Sequence, residues 1–383
     1  MARFCFRRER IALFCNIILC YIDYYCALKN NIFMLMSKKN SRRSFIQKSV
    51  MVSACSLIEP AYSIGSNNLE NHSIGHGDFK FNLDKAWGIQ NPNNYPVSHC
   101  HEMVIDSKNR IILTTTHPKN NILIYDRSGK IVDSWSINYN GAHGLTVNDE
   151  GGEDFLYITD PDSHRFCKTT LKGEKLFEVN YPSEIPEYKS PSQFKPTETA
   201  ISPNGDIYVC DGYGLDYIIQ YDQAGNYIRH FGGHGNGSEL FDCCHGITID
   251  KRNESAPTLL ITSRSKNEFK RFSLDGKWIE TIRMPGCYIC RPVIKDDYLL
   301  FAVIVTKDWG VYDGMLAVLD QNNKAVSFPG GSAPVYNNGI LLSPIYDQKS
   351  FRNPHDVCVD DEWNLYVPQW NSGKTYPKKL TRI

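Results

Sequence analysis

The chain has no surplus of charge in either direction: 42 basic residues face 42 acidic ones over 383 positions. Such a balance gives no long-range field to gather nucleic acid or an anionic membrane, so neither is expected as a partner. Signatures of phosphate binding and serine chemistry are missing too. No P-loop, GxSxG elbow or dinucleotide fingerprint stands between a strand and a helix. Cys287-x-x-Cys290 lacks the second CxxC of a structural zinc site and reads as a plain turn. One apolar stretch, Ile11 to Leu28, has the length of a membrane helix, but Asn16 and Asp23 interrupt it.

Aromatic residues, by contrast, are plentiful, with 22 Tyr, 18 Phe and 6 Trp. Together with Thr, Ile and Val in short runs, they suit half-buried strands rather than helices.

The N-terminus stands apart. Ser41-Arg42-Arg43-Ser44-Phe45-Ile46-Gln47-Lys48 resembles a twin-arginine export signal, followed by a modest apolar stretch from Val50 to Ile58. Ala61-Tyr62-Ser63 offers small residues for signal peptidase. A chance arginine pair is the plain alternative. Val52-Ser53-Ala54-Cys55 has the look of a lipoprotein box, but only six residues separate Lys48 from Cys55, too few for an apolar core. Met36 is a conventional start for such a signal. The expectation is therefore an upstream extension over 1–35, a signal peptide over 36–63 and a mature domain over 64–383, exported to the periplasm or beyond. No integral membrane span is expected in the mature chain. Five of the 13 cysteines, from Cys5 to Cys55, fall in the excluded part. The other eight have the opportunity to pair in an oxidising compartment, with no connectivity readable from spacing.

A repeat organises the rest. His101-Glu102-Met103-Val104-Ile105-Asp106 leads to Ile111-Ile112-Leu113, and His143-Gly144-Leu145-Thr146-Val147 leads to Leu156-Tyr157-Ile158. The same pattern begins at Thr197-Glu198, His245-Gly246 and His355-Asp356. Each unit continues through a third strand, a Gly turn and a fourth strand, as in Ile218-Ile219-Gln220-Tyr221 and Tyr227-Ile228-Arg229. Four short antiparallel strands per unit describe a propeller blade. The gap from His245 to His355 is double, and Tyr298–Val303 with Met315–Leu319 fills it. The predicted fold is all-β: a six-bladed β-propeller. Its last blade is short, and a strand near Phe79-Lys80-Phe81-Asn82-Leu83 is predicted to close the ring, which removes exposed edges.

Innermost strands face the central channel, so residues in equal register ring the axis. That position reads His101, His143, Thr197, His245, an undefined residue near Arg291, and His355. His143, His245 and His355 come from alternate blades, which three-fold rotation relates, so their imidazoles converge on one axial point. Three neutral imidazoles with one open position form a catalytic zinc arrangement. His101 shares the register as an extra ligand, a supporting partner or channel lining. Asp356 offers a carboxylate either to a hard cation such as calcium or to a strand-end hydrogen bond.

Residues from about 95 onward resemble the peptidyl-α-hydroxyglycine α-amidating lyases, within the NHL-repeat propellers. The resemblance is carried by Asp211-Gly212-Tyr213, Pro196-Thr197-Glu198 and Phe351-x-x-Pro354-His355-Asp356. It implies zinc on His143, His245 and His355, and a structural calcium on the carbonyls of Met103 and Leu145 and the carboxylate of Asp356. It implies Tyr213 as base or positioning partner and Arg264 as the group that neutralises carboxylate or alkoxide charge. The implied reaction cleaves a carbinolamide to an amide and glyoxylate. The sequence departs from the family where its second arginine falls on Thr116 and its methionine on Asn353. The family's cysteine pairs have no counterparts at Phe194-Lys195-Pro196, Gly214, Leu260 and Arg271.

The expected function is an exported, metal-dependent, lyase-like enzyme, monomeric, acting on a small polar or peptide-derived substrate. The alternatives are a non-catalytic NHL-type propeller that binds a protein or glycan, and a lactonase-like hydrolase. Lactonase sites lean on a Glu, Asn and Asp calcium set rather than on three histidines.

Overall fold

The computed structural model describes residues 73–306 and 311–383. The extension and export signal expected over 1–63 lie outside the described residues. The unit that contains the repeats runs from Glu70 to Ile383. It is all-β, a six-bladed propeller of antiparallel sheets with only two single-turn 3₁₀ segments among the described residues.

Blades one to four are single hairpin series of four strands, over residues 100–135, 145–179, 198–232 and 247–283. Their first strands, Cys100–Ile105, Leu145–Asp149, Glu198–Ile201 and Ile247–Asp250, lie beside one another around the axis. Second strands are wholly or almost wholly buried because blades cover both of their faces; Ile111–Thr115 and Ile207–Cys210 have no exposed position. Such strands read as continuous apolar runs. Fourth strands meet solvent, and Trp278–Arg283 is largely exposed.

The acidic turn residue of the repeat has a structural job. Asp106 Oδ1 accepts hydrogen bonds from the Lys108 and Arg110 amides at 3.0 and 2.8 Å, and Asn109 turns the chain at φ 58°. Asp360 does the same for Glu362 and Asn364, at 3.0 and 2.8 Å. Carboxylates that bond the backbone two residues on are what tight turns select.

Blade five breaks the pattern. Its inner strand is split into Tyr288–Ile289 and Val293–Lys295, and both pieces pair with Tyr298–Val305. Cys290, Arg291 and Pro292 fill the break, which is why the ring position near Arg291 has no clean register in sequence. A small extra hairpin, Tyr336–Asn337 with Ile340–Leu341, follows this blade.

Blade six joins the two ends of the unit. Cys358–Val359, Leu365–Val367 and Lys378–Arg382 come from the C-terminal side, Phe79–Asp84 and Ser73–His76 from the N-terminal side. Phe81 pairs with Arg382 and Leu83 with Leu380. The closing segment predicted at Phe79–Leu83 is thus in place, and a second strand beyond it makes this blade five-stranded.

The core is distributed as six clusters, one per seam between neighbouring blades. The seam between blades five and six packs Phe79 and Phe81 with Leu300, Val318, Leu365 and Leu380. Its counterparts hold the other five seams. No helix among the described residues is long and apolar enough to cross a membrane.

Candidate functional site

The histidines head the inner strands, where the backbone is fixed by the second strand. The His143 amide donates to Thr159 O at 3.0 Å, and the His355 amide to Pro368 O at 3.0 Å. In blade four the Thr262 amide donates to Gly246 O at 2.8 Å. Four imidazoles meet on the axis as a result. The ring centroids of His143, His245 and His355 form a near-equilateral triangle with sides of 4.8, 4.9 and 5.0 Å. His101 stands 4.4 Å from His143 and 4.7 Å from His355, and one ligand atom from each of these three lies within 4.8 Å of the others.

These rings are neutral. Burial holds all four below the ordinary imidazole range, helped by the Arg264 charge, and takes His143 down to about 3. Two are held in one tautomer. His143 Nδ1 donates to Thr197 O at 2.8 Å and His355 Nδ1 to His101 O at 3.0 Å, which leaves the lone pair of each on Nε2. A backbone carbonyl on the outer nitrogen is the support that metal-ligating histidines carry. The Nδ1 atoms of His245 and His101 are buried without hydrogen-bond partners. Neutral, oriented and under-satisfied imidazoles fit a borderline divalent ion such as zinc.

Tyr213 and Arg264 come from the same rim. Each follows the second strand of its blade, in blades three and four. Asp211 builds the turn that presents Tyr213: its carboxylate accepts from Tyr188 Oη at 2.5 Å, the Lys195 amide at 2.5 Å and the Leu215 amide at 2.6 Å. Tyr213 shows 41% of its surface to the cavity, yet its hydroxyl points inward, 3.0 Å from His245 Nε2 and 3.2 Å from His143 Nε2. Burial raises that hydroxyl above the ordinary phenol value and the neighbouring guanidinium opposes the rise. Arg264 is buried. Its Nε donates to Ile289 O at 3.0 Å and its Nη1 to Tyr213 Oη at 3.3 Å, while Nη2 lies 3.3 Å from Cys290 Sγ.

Above these groups opens a cavity of about 560 Å³, whose lining includes His101, His143, Tyr213, Arg264, His355 and Thr116. Thr116 holds the rim position that the family resemblance gives to a second arginine. Its amide and hydroxyl both engage Ser98 O, at 3.0 and 3.3 Å. Asp162 and Trp370 also line the cavity, and neither was singled out by the repeat pattern. Asn353 does not line it; there the chain turns at φ 49°, a conformation asparagine tolerates.

A second ring lies one residue further along each inner strand. It reads Glu102, Gly144, Glu198, Gly246 and Asp356, and all three acids are buried. Burial raises the carboxyl of each, Glu102 well above the ordinary range and Asp356 up to about 7. At the centre sits Arg291. Its Nη1 donates to Leu145 O at 2.8 Å, its Nη2 to Met103 O at 2.9 Å and to Asp356 Oδ2 at 2.6 Å. The groups expected to hold calcium are therefore brought together, and a guanidinium stands among them. The acids were visible in sequence beside His101, Thr197 and His355; Arg291 was hidden by the split strand. The eight described cysteines are unpaired, seven of them buried.

Comparison with known proteins bears on the fold. A family described as six-bladed β-propeller matches residues 194–331. The chain is a six-bladed β-propeller similar to the amidating lyases and the NHL repeat proteins. Human NHL repeat-containing protein 3 is 25% identical over 209 residues, 52% of this chain and 58% of that protein. Peptidyl-alpha-hydroxyglycine alpha-amidating lyase 1 of Drosophila melanogaster is 32% identical over 270 residues, 64% of this chain and 46% of that protein. A probable lyase of the same name in Caenorhabditis elegans is 27% identical over 172 residues, 44% of this chain and 45% of that protein. The propeller spans about half the length of these relatives. Among solved structures it is similar to a streptogramin B lyase, with a TM-score of 0.52, 17% identity, and coverage of 79% of this chain and 97% of that one. It is similar also to a gluconolactonase from Xanthomonas campestris, with a TM-score of 0.51, 10% identity and 75% and 86% coverage. Both show the fold alone.

Proposed function

We propose that this propeller is an exported, metal-dependent enzyme of lyase type that cleaves a carbinolamide of the peptidyl-α-hydroxyglycine kind to an amide and glyoxylate. The observation that carries this reading is the meeting of the His143, His245 and His355 rings with the Tyr213 hydroxyl, itself held by the Arg264 guanidinium, beneath a cavity that His143, His355, Tyr213 and Arg264 line and His245 does not. A zinc ion on the three histidines would act as a Lewis acid that lowers the pKa of the substrate hydroxyl.

The chain's own groups do the rest. Tyr213 is placed to position the substrate hydroxyl, or to receive its proton once the phenol has given up its own, between two imidazole nitrogens and a guanidinium. As the carbonyl forms, the C–N bond breaks, its electron pair goes to nitrogen, and nitrogen takes a proton to become the amide. Arg264 would hold negative charge on the alkoxide or carboxylate. Thr116 supplies no positive charge at the rim, and Asp162 adds a carboxylate. These two leave Arg264, among the described residues, as the one guanidinium lining the cavity to meet the carboxylate of an α-hydroxyglycine substrate. They favour the second reading, a non-catalytic NHL-type propeller whose axial metal staples the ring while the face binds a protein or glycan. The lactonase alternative rests on likeness of fold alone.

The test is elemental analysis of protein from residue 64 onward, with and without His245→Ala, beside an assay for glyoxylate release. One zinc per chain, lost in the variant, together with glyoxylate release supports the lyase. Zinc without turnover on α-hydroxyglycine peptides supports the binding propeller. No transition metal in either protein overturns both metal readings.

A further inference from the structure

The axis below the histidines is built like a cation site, and the cation is part of the chain. Met103 and Asp356 belong to blades one and six, Leu145 to blade two, and each turns an oxygen toward Arg291. Arg291 Nε adds a 3.2 Å bond to Asp356 Oδ1, so the carboxylate is gripped by two nitrogens. Glu102 of blade one and Glu198 of blade three stand 3.6 and 3.9 Å from the same guanidinium. One side chain from blade five thus touches groups of four other blades. Planar guanidinium, with five donors in a fixed fork, suits several oxygens arranged around it.

The surrounding backbone is shaped to admit it. The break between Tyr288–Ile289 and Val293–Lys295 frees residue 291 from strand pairing. Gly246 leaves the space for its main chain: a Cβ there would meet Arg291 Cα at 2.6 Å and Cys290 O at 2.8 Å. Two independent local features therefore serve the same arginine.

We propose that Arg291 is a built-in replacement for a calcium ion at the propeller axis, so that this ring closes without bound calcium. The two carbonyls and the carboxylate that would ligate the ion are already satisfied, and the ion would have to expel a hydrogen-bonded guanidinium to reach them. This inference does not depend on zinc or on turnover, since it concerns a different layer of the axis.

The experiment compares thermal melting of wild-type protein, Arg291→Ala and Arg291→Met in calcium-free buffer and in millimolar CaCl₂. Wild type is expected to melt at the same temperature in both, and native mass spectrometry is expected to find no calcium on it. Arg291→Ala is expected to melt roughly 5–15 °C lower, since it leaves buried acids uncompensated. It should regain part of that loss in CaCl₂, because an oxygen-lined hole remains. Arg291→Met fills the hole without donors and is expected to lose stability with no response to calcium. Should neither variant fold, the wild-type melting and mass measurements still decide the matter. One calcium per wild-type chain, a calcium-dependent wild-type melting point, or an Arg291→Ala protein as stable as wild type would each overturn the proposal.

Discussion

At the scale of single residues, the axial histidines show how much a register can carry. Identical placement at the head of repeated strands was enough to foresee that His143, His245 and His355 would meet. Tyr213 and Arg264 carried no such periodic signal and were reached through resemblance. Their hydroxyl–guanidinium contact at 3.3 Å gives a direct prediction. Tyr213→Phe should keep its metal and fold but lose turnover by about 10²–10⁴-fold, the usual worth of a proton-transfer group. Steady-state kinetics beside metal analysis checks it; an unchanged kcat would remove Tyr213 from the reaction. At the rim, Thr116→Arg should lower KM for a substrate ending in carboxylate by roughly tenfold, with kcat little changed, because one charge-assisted hydrogen bond is added before the reaction starts. An unaltered KM would place the substrate carboxylate elsewhere.

Elements were legible wherever the repeat was regular. Buried second strands appear as apolar runs, and hairpins announce themselves through Asp106, Asp222 and Asp360. Blade five was the weak point, and for a physical reason. Its inner strand is interrupted to deliver a charged side chain to the axis, so alternation is lost where function of another kind is gained. The His-Gly pairs of blades two and four were read for their histidines alone. Their glycines matter equally, since a Cβ on Gly144 would meet Thr197 O at 2.5 Å and one on Gly246 would meet Arg291 Cα at 2.6 Å. Gly246→Ala should therefore cost about 1–3 kcal/mol by urea denaturation, the range for overpacking a tight contact. A neutral result would mean that blade five can move away from the axis.

For the whole molecule, stability is shared among six seams, and two of them are made by residues far apart in sequence. Phe81 is fully buried between blades five and six. Phe81→Ala should cost about 3–5 kcal/mol. Removing the chain through Asp84 should do more, because Lys378–Arg382 would lose its neighbour and expose an edge. Calorimetry and limited proteolysis both report this, and cleavage is expected first in blade six. A truncated chain that melts like the full one would show that three strands suffice for that blade. The ring closure itself was legible, because a short last blade needs a strand from somewhere. The fifth strand, Ser73–His76, was not, since Gly75 and Gly77 break the alternation that marks a strand.

The pairing of Phe81 with Arg382 spans about 300 positions. Contacts of such separation form late, since most of the loop-closure entropy must be overcome before they return anything. A ribosome-bound chain therefore holds His101, His143 and His245 long before His355 has been made. It has no sixth blade until the last strand emerges and finds the first. An ion held by the upper ring would be taken up at the end of folding, with the two zipped ends as its clasp. Loading and release should then follow the opening rate of one blade rather than the affinity of the ligands alone.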